Sequence, residues 1–288
     1  MKQAQFGFTS EGDLRSRLAD IIRETPNYTQ ALFHILGDCW ANEQIKAIRD
    51  VIKEYFPDSV VTGSASWGNM VDGKIQIGNI AICCTLFESP TAKLEVMTAP
   101  LQTGQAADEA RRLVAAVNER PWVKGVEILL MNKGESVVEF CAEMSKLPQD
   151  IVVFGGESHF AHADDAPQYV VSDEGECIHW GVSFVLYGGD DLHLTTHLVR
   201  GWKPLGFEMK ATKYTSNILQ EVDGQPAHDL YYKYLHIEND DSFFNNVLEF
   251  PFLFSWEEST VLRMPVACLD DGSMVLAAAV PDNATMRI

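Results

Sequence analysis

The elements along this chain of 288 residues repeat in order, and the repeat limits the folds that the chain can adopt. Residues 30–98 are typical of a strand, a helix, a strand that runs into a corner rich in glycine and serine, a hairpin and a further strand. Residues 125–199 show the same order, with Gly63 corresponding to Gly155. A chance likeness between two ordinary α+β segments is the alternative.

Two such units can pack their sheets against each other, because each sheet has an apolar face to remove from water. We therefore predict an α+β fold of duplicated strand–helix–strand–hairpin units at residues 28–120 and 121–206. We expect largely antiparallel sheets, packed in a layered sandwich with the helices outside. Apolar residues at helical spacing predict helices at residues 10–23, with Ser10 as N-cap, and at residues 42–56.

The composition changes at residue 237, where an acidic and aromatic stretch begins. We expect residues 1–236 to form one domain, made of both units and a connecting strand and helix. Two strand-like runs, residues 261–268 and 274–280, follow around an Asp-Gly turn, and the chain then stops directly after a strand. Residues 237–288 are therefore predicted to be the beginning of a second domain that is cut short.

The chain is acidic, with 22 Lys and Arg against 41 Asp and Glu, a formal net charge of −19. Such a charge repels phosphate backbones and anionic lipids, so we expect neither nucleic-acid nor membrane binding. Solubility alone is the plainer interpretation of the acidity. No apolar run is long enough to cross a bilayer, and the N-terminus has no secretory signal. The six cysteines lack disulfide or metal spacing, which favours a cytoplasmic protein with reduced thiols.

Two corners are candidates for binding a small ligand. Residues 155–158 follow an apolar strand, and their backbone N–H groups could hold an anion. Residues 64–68 would add hydroxyl groups and an indole. If the corners converge, they form a pocket with apolar walls and a few polar groups. A plain tight turn is the alternative interpretation of residues 155–158.

Histidines offer a second kind of site. His193 and His197 lie on one face of a presumed strand, roughly 13 Å apart, so they cannot share one metal ion. Either could be an axial haem ligand, or simply a polar residue on a half-exposed face. We predict no metal site beyond this haem possibility.

Motifs of known enzyme classes are absent from the sequence. The run Gly-Gly-Asp-Asp at residues 188–191 is similar to a cyclase signature, but Asp191 and Leu192 stand where that motif needs Glu and Phe. A hairpin turn explains it better. There is no nucleophile elbow and no phosphate-binding loop. We expect no enzymatic activity and no catalytic residues, with an enzyme of unrecognised site as the alternative.

The sequence resembles the FIST sensory family over nearly its whole length. The resemblance is carried by Gly-Trp-Lys-Pro-Leu-Gly at residues 201–206 and by Glu-Val-Asp-Gly-Gln-Pro-Ala at residues 221–227. Residues 61–65 look like the family's Gly-Cys-Ser-Thr-Ala-Gly-Glu corner, although Trp67, Gly68 and Asn69 stand where the family continues Gly-Glu-Ile. Residues 263–265 and 271–273 resemble the start of the family's C-terminal half.

This resemblance implies a cytoplasmic input module of bacterial signal transduction that binds an amino-acid-like or other small metabolite. It implies an output domain or partner, fused or separate, such as a diguanylate cyclase, a phosphodiesterase or a histidine kinase, and hence cyclic-di-GMP signalling. A haem-based nitric oxide sensor is the alternative; otherwise no cofactor is required, and a homodimer is left open. We expect the ligand to bind between the two units, at Ser64, Ser66, Trp67, Gly155, Gly156, Glu157, Ser158 and Trp202.

Overall fold

The computed structural model describes residues 1–37, 42–66, 68–77, 79–102, 104–131, 137–157, 168–197, 201–256 and 259–288. The chain divides into two compact units, Met1–His197 and Leu198–Ile288. The first unit contains β1 (Lys2–Gly7), α1 (Glu11–Glu24), β2 (Gln30–Gly37), α2 (Asn42–Tyr55), β3 (Val60–Ala65), β4 (Gly68–Val71), β5 (Lys74–Ile77), β6 (Ala81–Phe87), β7 (Lys93–Pro100), α3 (Ala106–Asn118), β8 (Val123–Leu130), α4 (Val138–Met144), β9 (Val152–Glu157), β10 (Tyr169–Val171), β11 (Cys177–His179) and β12 (Gly181–Gly188).

Two sheets form the centre of the first unit. One has the strand order β1-β6-β2-β3-β10-β11, and the other has the order β7-β12-β8-β9. The pairs β2–β3 and β8–β9 are parallel, and the remaining pairs in both sheets are antiparallel. The strands β4 and β5 form a separate hairpin.

The strand order of the first sheet repeats in the second, but each repeat begins earlier in the chain than predicted. The order β1-β6-β2-β3 in one sheet matches β7-β12-β8-β9 in the other, and a helix follows β1, β2, β7 and β8 in the chain. The repeating unit therefore begins at β1 and at β7, whereas the sequence suggested starts near residues 28 and 121. The difference arises because β7 pairs with β12, over 80 residues later, and thus belongs to the second sheet.

Strand alternation sorts the side chains of the first unit into four layers. In β2, Phe33 and Ile35 pack against α1 and α2, while Leu32 faces the second sheet. In β12, Phe184 packs against α3 and α4, while Val185 faces the first sheet. The apolar cluster between the sheets shows that they pack face to face. The predicted α+β sandwich with outer helices is confirmed.

Local sequence explains the first helix. Ser10 has extended backbone angles, and its side chain accepts a hydrogen bond from the N–H of Asp13, which caps α1 as predicted. Leu14 and Leu18, one turn apart, are both buried. The helix α2 also matches its predicted bounds to within one residue.

The second unit holds the rest of the described elements: β13 (Met209–Thr215), β14 (Ile218–Val222), β15 (Gln225–Pro226), α5 (Ala227–Leu235), α6 (Phe243–Val247), β16 (Phe252–Trp256), β17 (Ser259–Arg263), β18 (Pro265–Cys268), β19 (Met274–Leu276) and β20 (Thr285–Arg287). Its sheet has the order β17-β16-β20-β13-β14-β19-β18, with β15 on β14. Tyr231 packs edge-on against Phe252 in its core, with ring centroids 5.0 Å apart.

This division differs from the domain boundary expected at residue 237. The strands β13 and β14 and the helix α5 precede that residue, but they belong to the second unit. The reason is non-local strand pairing, since β13 pairs with β20 and β14 pairs with β19.

The parallel strand pairs require glycine at two positions. A Cβ atom at Gly63 would lie 1.9 Å from the carbonyl oxygen of Ile35, and one at Gly155 would lie 2.1 Å from that of Ile128. We expect Gly63→Ala or Gly155→Ala to lower the free energy of unfolding by about 1–3 kcal/mol, because the backbone must shift to admit the methyl group. Urea denaturation measures this loss.

Gly156→Ala is the matched control, because a Cβ atom there meets no atom within 4 Å. We expect it to change the free energy of unfolding by less than about 0.5 kcal/mol. Equal losses in the control and in Gly155→Ala would contradict the proposed close approach.

Candidate functional site

The two predicted corners are strand ends rather than tight turns. Gly63 lies in β3 opposite Ile35, and Gly155 lies in β9 opposite Ile128. The interpretation of residues 155–158 as a plain tight turn is therefore wrong for residues 155–157, which continue the ladder. The two glycines occupy equivalent positions in the two repeats, so Ser64 corresponds to Gly156.

The structure places the predicted ligand residues in different layers. Ser64 is buried opposite Val170 of β10, and the hydroxyl of Ser66 donates to the carbonyl oxygen of Gly68 at 2.9 Å. Gly155, Gly156 and Glu157 are exposed at the end of β9, the edge strand of the second sheet.

Trp202 lies apart from this pair of strand ends. Trp202 belongs to the second unit, is 47% exposed, and its Nε1–H donates to the carbonyl oxygen of Glu249 at 3.1 Å. Trp67 and Ser158 lie outside the described residues. Their predicted roles stay predictions.

Two amide side chains near the end of β3 are buried, and no motif in the sequence indicates a binding role for either of them. Asn69 is 5% exposed, and its Nδ2 donates to the carbonyl oxygens of Leu36 at 3.1 Å and Asn79 at 2.9 Å. Gln168 is 3% exposed. Neither Asn69 Oδ1 nor Gln168 Oε1 has a hydrogen-bond partner within the described part of the chain. A buried acceptor left unpaired costs about 1–3 kcal/mol, so such atoms point to a donor supplied from elsewhere.

The strand register locates both amides beside β3. Leu36, whose carbonyl oxygen binds Asn69, lies opposite Ser64 in the neighbouring β2. Gln168 directly precedes β10, in which Val170 lies opposite Ser64 from the other side. Since β2 and β10 are two interstrand spacings apart, roughly 10 Å, the amides flank the end of β3. Two side-chain carbonyl oxygens in this position can accept hydrogen bonds from an ammonium or amide group.

A polar cluster also joins the two sheets. The Nε2 atom of His34 in β2 lies 3.0 Å from Oε2 of Glu127 in β8. The hydroxyl of Tyr187 donates a hydrogen bond to the same carboxylate. Burial alone would raise the pKa of Glu127. The hydrogen bond and charge of His34 and the hydrogen bond from Tyr187 lower it by more, so the pKa of Glu127 lies below its ordinary value. Burial and the charge of Glu127 raise the pKa of Tyr187, which keeps its proton.

A family comparison adds to this geometry. The model of the FIST N domain matches residues 36–225, about two thirds of the chain. The chain belongs to the FIST N family. This is a family of sensory signal-transduction domains, and the match includes β3, β9 and both buried amides. No curated protein matches the chain. None of the helices among the described residues is both long and apolar enough to span a bilayer.

The haem possibility for this FIST N chain does not fit its candidate ligands. The prediction that His193 and His197 lie on a strand is wrong, because residues 189–197 contain no strand. Leu192 and Leu194 instead pack against the apolar cluster between the sheets, and both histidines are exposed. These residues do not offer the buried axial position that a haem sensor needs.

The cluster at Glu127 predicts a pH dependence of stability. Its pKa is lowered from 4.5 in the folded FIST N chain, so its stabilising contribution is present above pH 4.5 and is lost as the pH falls through the folded value. We expect Glu127→Gln to lower the free energy of unfolding by about 1–3 kcal/mol at pH 5.5. The difference from the natural chain should shrink towards pH 3, as measured by denaturation at each pH.

Glu139→Gln on the exposed face of α4 is the control, and we expect it to leave that profile unchanged. A difference between Glu127→Gln and the natural chain that stays constant down to pH 3 would contradict the lowered pKa.

Proposed function

We propose that this chain is a cytoplasmic input module that binds a small molecule at the end of β3 and controls a signalling output. The observation that supports this most directly is the pair of buried oxygens of Asn69 and Gln168, which have no hydrogen-bond partner among the residues that the structure describes. A ligand that supplies N–H donors to both atoms recovers the free energy that their burial costs. Membership of a sensory family also supports the proposal of an input module.

The donors required suggest the class of ligand. Two neutral carbonyl acceptors suit an ammonium group or an amide, and amino-acid-like metabolites carry such groups. Ser64 and Ser66 lie at the same strand end and would add hydroxyl groups that both donate and accept. We therefore propose an amino acid or a close derivative as the ligand.

A binding role rather than catalysis is part of the proposal. Burial raises the pKa of all five cysteines that the structure describes, to about 12 for Cys84 and about 11 for Cys177. These thiols therefore lack the thiolate character of a nucleophile. All five are free, which supports a reducing compartment such as the cytoplasm.

We propose that the signal leaves the module as a change in packing between the two sheets of the first unit. The family resemblance suggests the output: a diguanylate cyclase, a phosphodiesterase or a histidine kinase, fused or separate. Activity of such a partner, measured with and without ligand, would assign it.

The ligand site is tested with the twenty common amino acids, each added separately in a thermal-shift assay. We expect at least one to raise the melting temperature of the natural chain, because a ligand that binds only the folded state stabilises it. Gln168→Met keeps the size of the side chain but removes its acceptor. We expect this variant to fold and to lose most of that shift.

Gln102→Met, at an exposed position, is the matched control and should keep the full shift. An equal shift in Gln168→Met and the natural chain would place the ligand elsewhere. No shift with any amino acid would overturn the proposed ligand class.

A further inference from the structure

The second unit contains a cavity of about 810 Å³ beside α5. A cavity of this size is within the range of small-molecule sites. Its apolar wall includes Met209, Val222, Leu230 and Leu235. It lies within Leu198–Ile288, whereas the amides beside β3 lie in the first unit.

Aromatic rings at this cavity are unusually exposed. Phe207 is 86% exposed, Tyr232 is 55% exposed and Tyr234 is 54% exposed, and all three line the cavity. Large exposed aromatic side chains grouped around one opening are typical of a binding surface. The Nζ of Lys233 lies over the ring of Tyr234, 5.1 Å from its centroid, so one face of that ring already holds a cation. The rings of Phe207 and Tyr232 are left to contact a ligand.

The charges around the cavity are mainly negative. Glu208, Asp223 and Asp229 line it, against the single lysine Lys233. The carboxylate of Glu208 forms an ion pair with Arg287 at 3.8 Å. Oδ1 of Asp223 accepts a hydrogen bond from the backbone N–H of Lys210 at 2.9 Å. The exposed carboxylate of Asp229 makes no hydrogen bond or ion pair with the described part of the chain, so it remains available to a ligand.

We propose that this cavity binds a hydrophobic organic cation: an ammonium or guanidinium group attached to an aromatic or aliphatic body. The carboxylate of Asp229 pairs with the cationic group, the exposed ring faces attract it, and the apolar wall receives the body. An anionic ligand of the same shape is repelled by the three carboxylates. The site is separate from the one beside β3 and does not depend on it.

Three indole compounds of similar shape test this proposal by titration calorimetry of the whole chain. Tryptamine is a cation, tryptophol is neutral and indole-3-propionate is an anion at pH 7. We expect tryptamine to bind at least tenfold more tightly than tryptophol, and indole-3-propionate to show no binding. Equal affinity for all three, or no binding of tryptamine, would overturn the proposal.

Variants locate the site. We expect Asp229→Asn to weaken tryptamine binding five- to tenfold and to leave tryptophol unchanged, because only the charge on the protein is removed. Tyr232→Leu should weaken tryptamine binding severalfold through the loss of an exposed ring face. Asp241→Asn, an exposed carboxylate that does not line the cavity, is the control and should bind as the natural chain does.

Tryptamine also carries an ammonium group that the amides beside β3 could accept, so Gln168→Met separates the two sites. Tryptamine binding that survives Gln168→Met and falls in Asp229→Asn supports the cavity in the second unit. The reverse pattern would overturn this inference while leaving the proposed function intact.

Discussion

Face-to-face packing of two sheets is the constraint on which the first unit depends. Each sheet already has helices on its outer face, so the inner faces can leave water only by meeting each other. Leu32, Phe87, Val185 and Tyr187 form the apolar part of that contact. His34 and Glu127 form its polar part, and they occupy equivalent positions of β2 and β8, each one residue before the isoleucine that faces a required glycine. The two repeats therefore pack against each other through a histidine in one repeat and a glutamate at the equivalent position of the other.

Much of this architecture can be predicted from the sequence because it depends on local patterns. The helix α1 follows from the Ser10 cap and the leucine stripe, and the equivalence of β3 and β9 follows from Gly63 and Gly155. The starting point of the repeat could not be predicted, because it depends on which sheet β7 joins. That choice is made by pairing with β12, and no local pattern in residues 93–100 indicates it.

The candidate site could be predicted less well from the sequence, because it too depends on contacts between residues far apart in the chain. The apolar alternation of Leu192 and Leu194 is the same for a strand and for an irregular segment packed on a core. The sequence therefore predicts a strand for the histidines beside them, which the structure does not contain. Gln168 stands in no motif, and its interest comes wholly from burial and from an unpaired oxygen. Asn69 stands out in the sequence only as a departure from the family pattern. Its hydrogen bonds to Leu36 and Asn79 depend on the packing of β4 against β6, which a local sequence pattern does not indicate.

The strand β3 connects the proposed ligand site with the packing of the sheets. Its Thr62 hydroxyl lies 2.7 Å from that of Ser183 in the second sheet, and strand alternation turns Ser64 to the same face. A ligand that fixes the end of β3 therefore acts on a strand whose other contacts cross to the opposite sheet. A packed interior responds to such a change by moving between discrete arrangements rather than by deforming smoothly. A ligand can shift that equilibrium only by its difference in affinity for the two arrangements, and under the proposed function this difference would arise at the amide oxygens of Asn69 and Gln168.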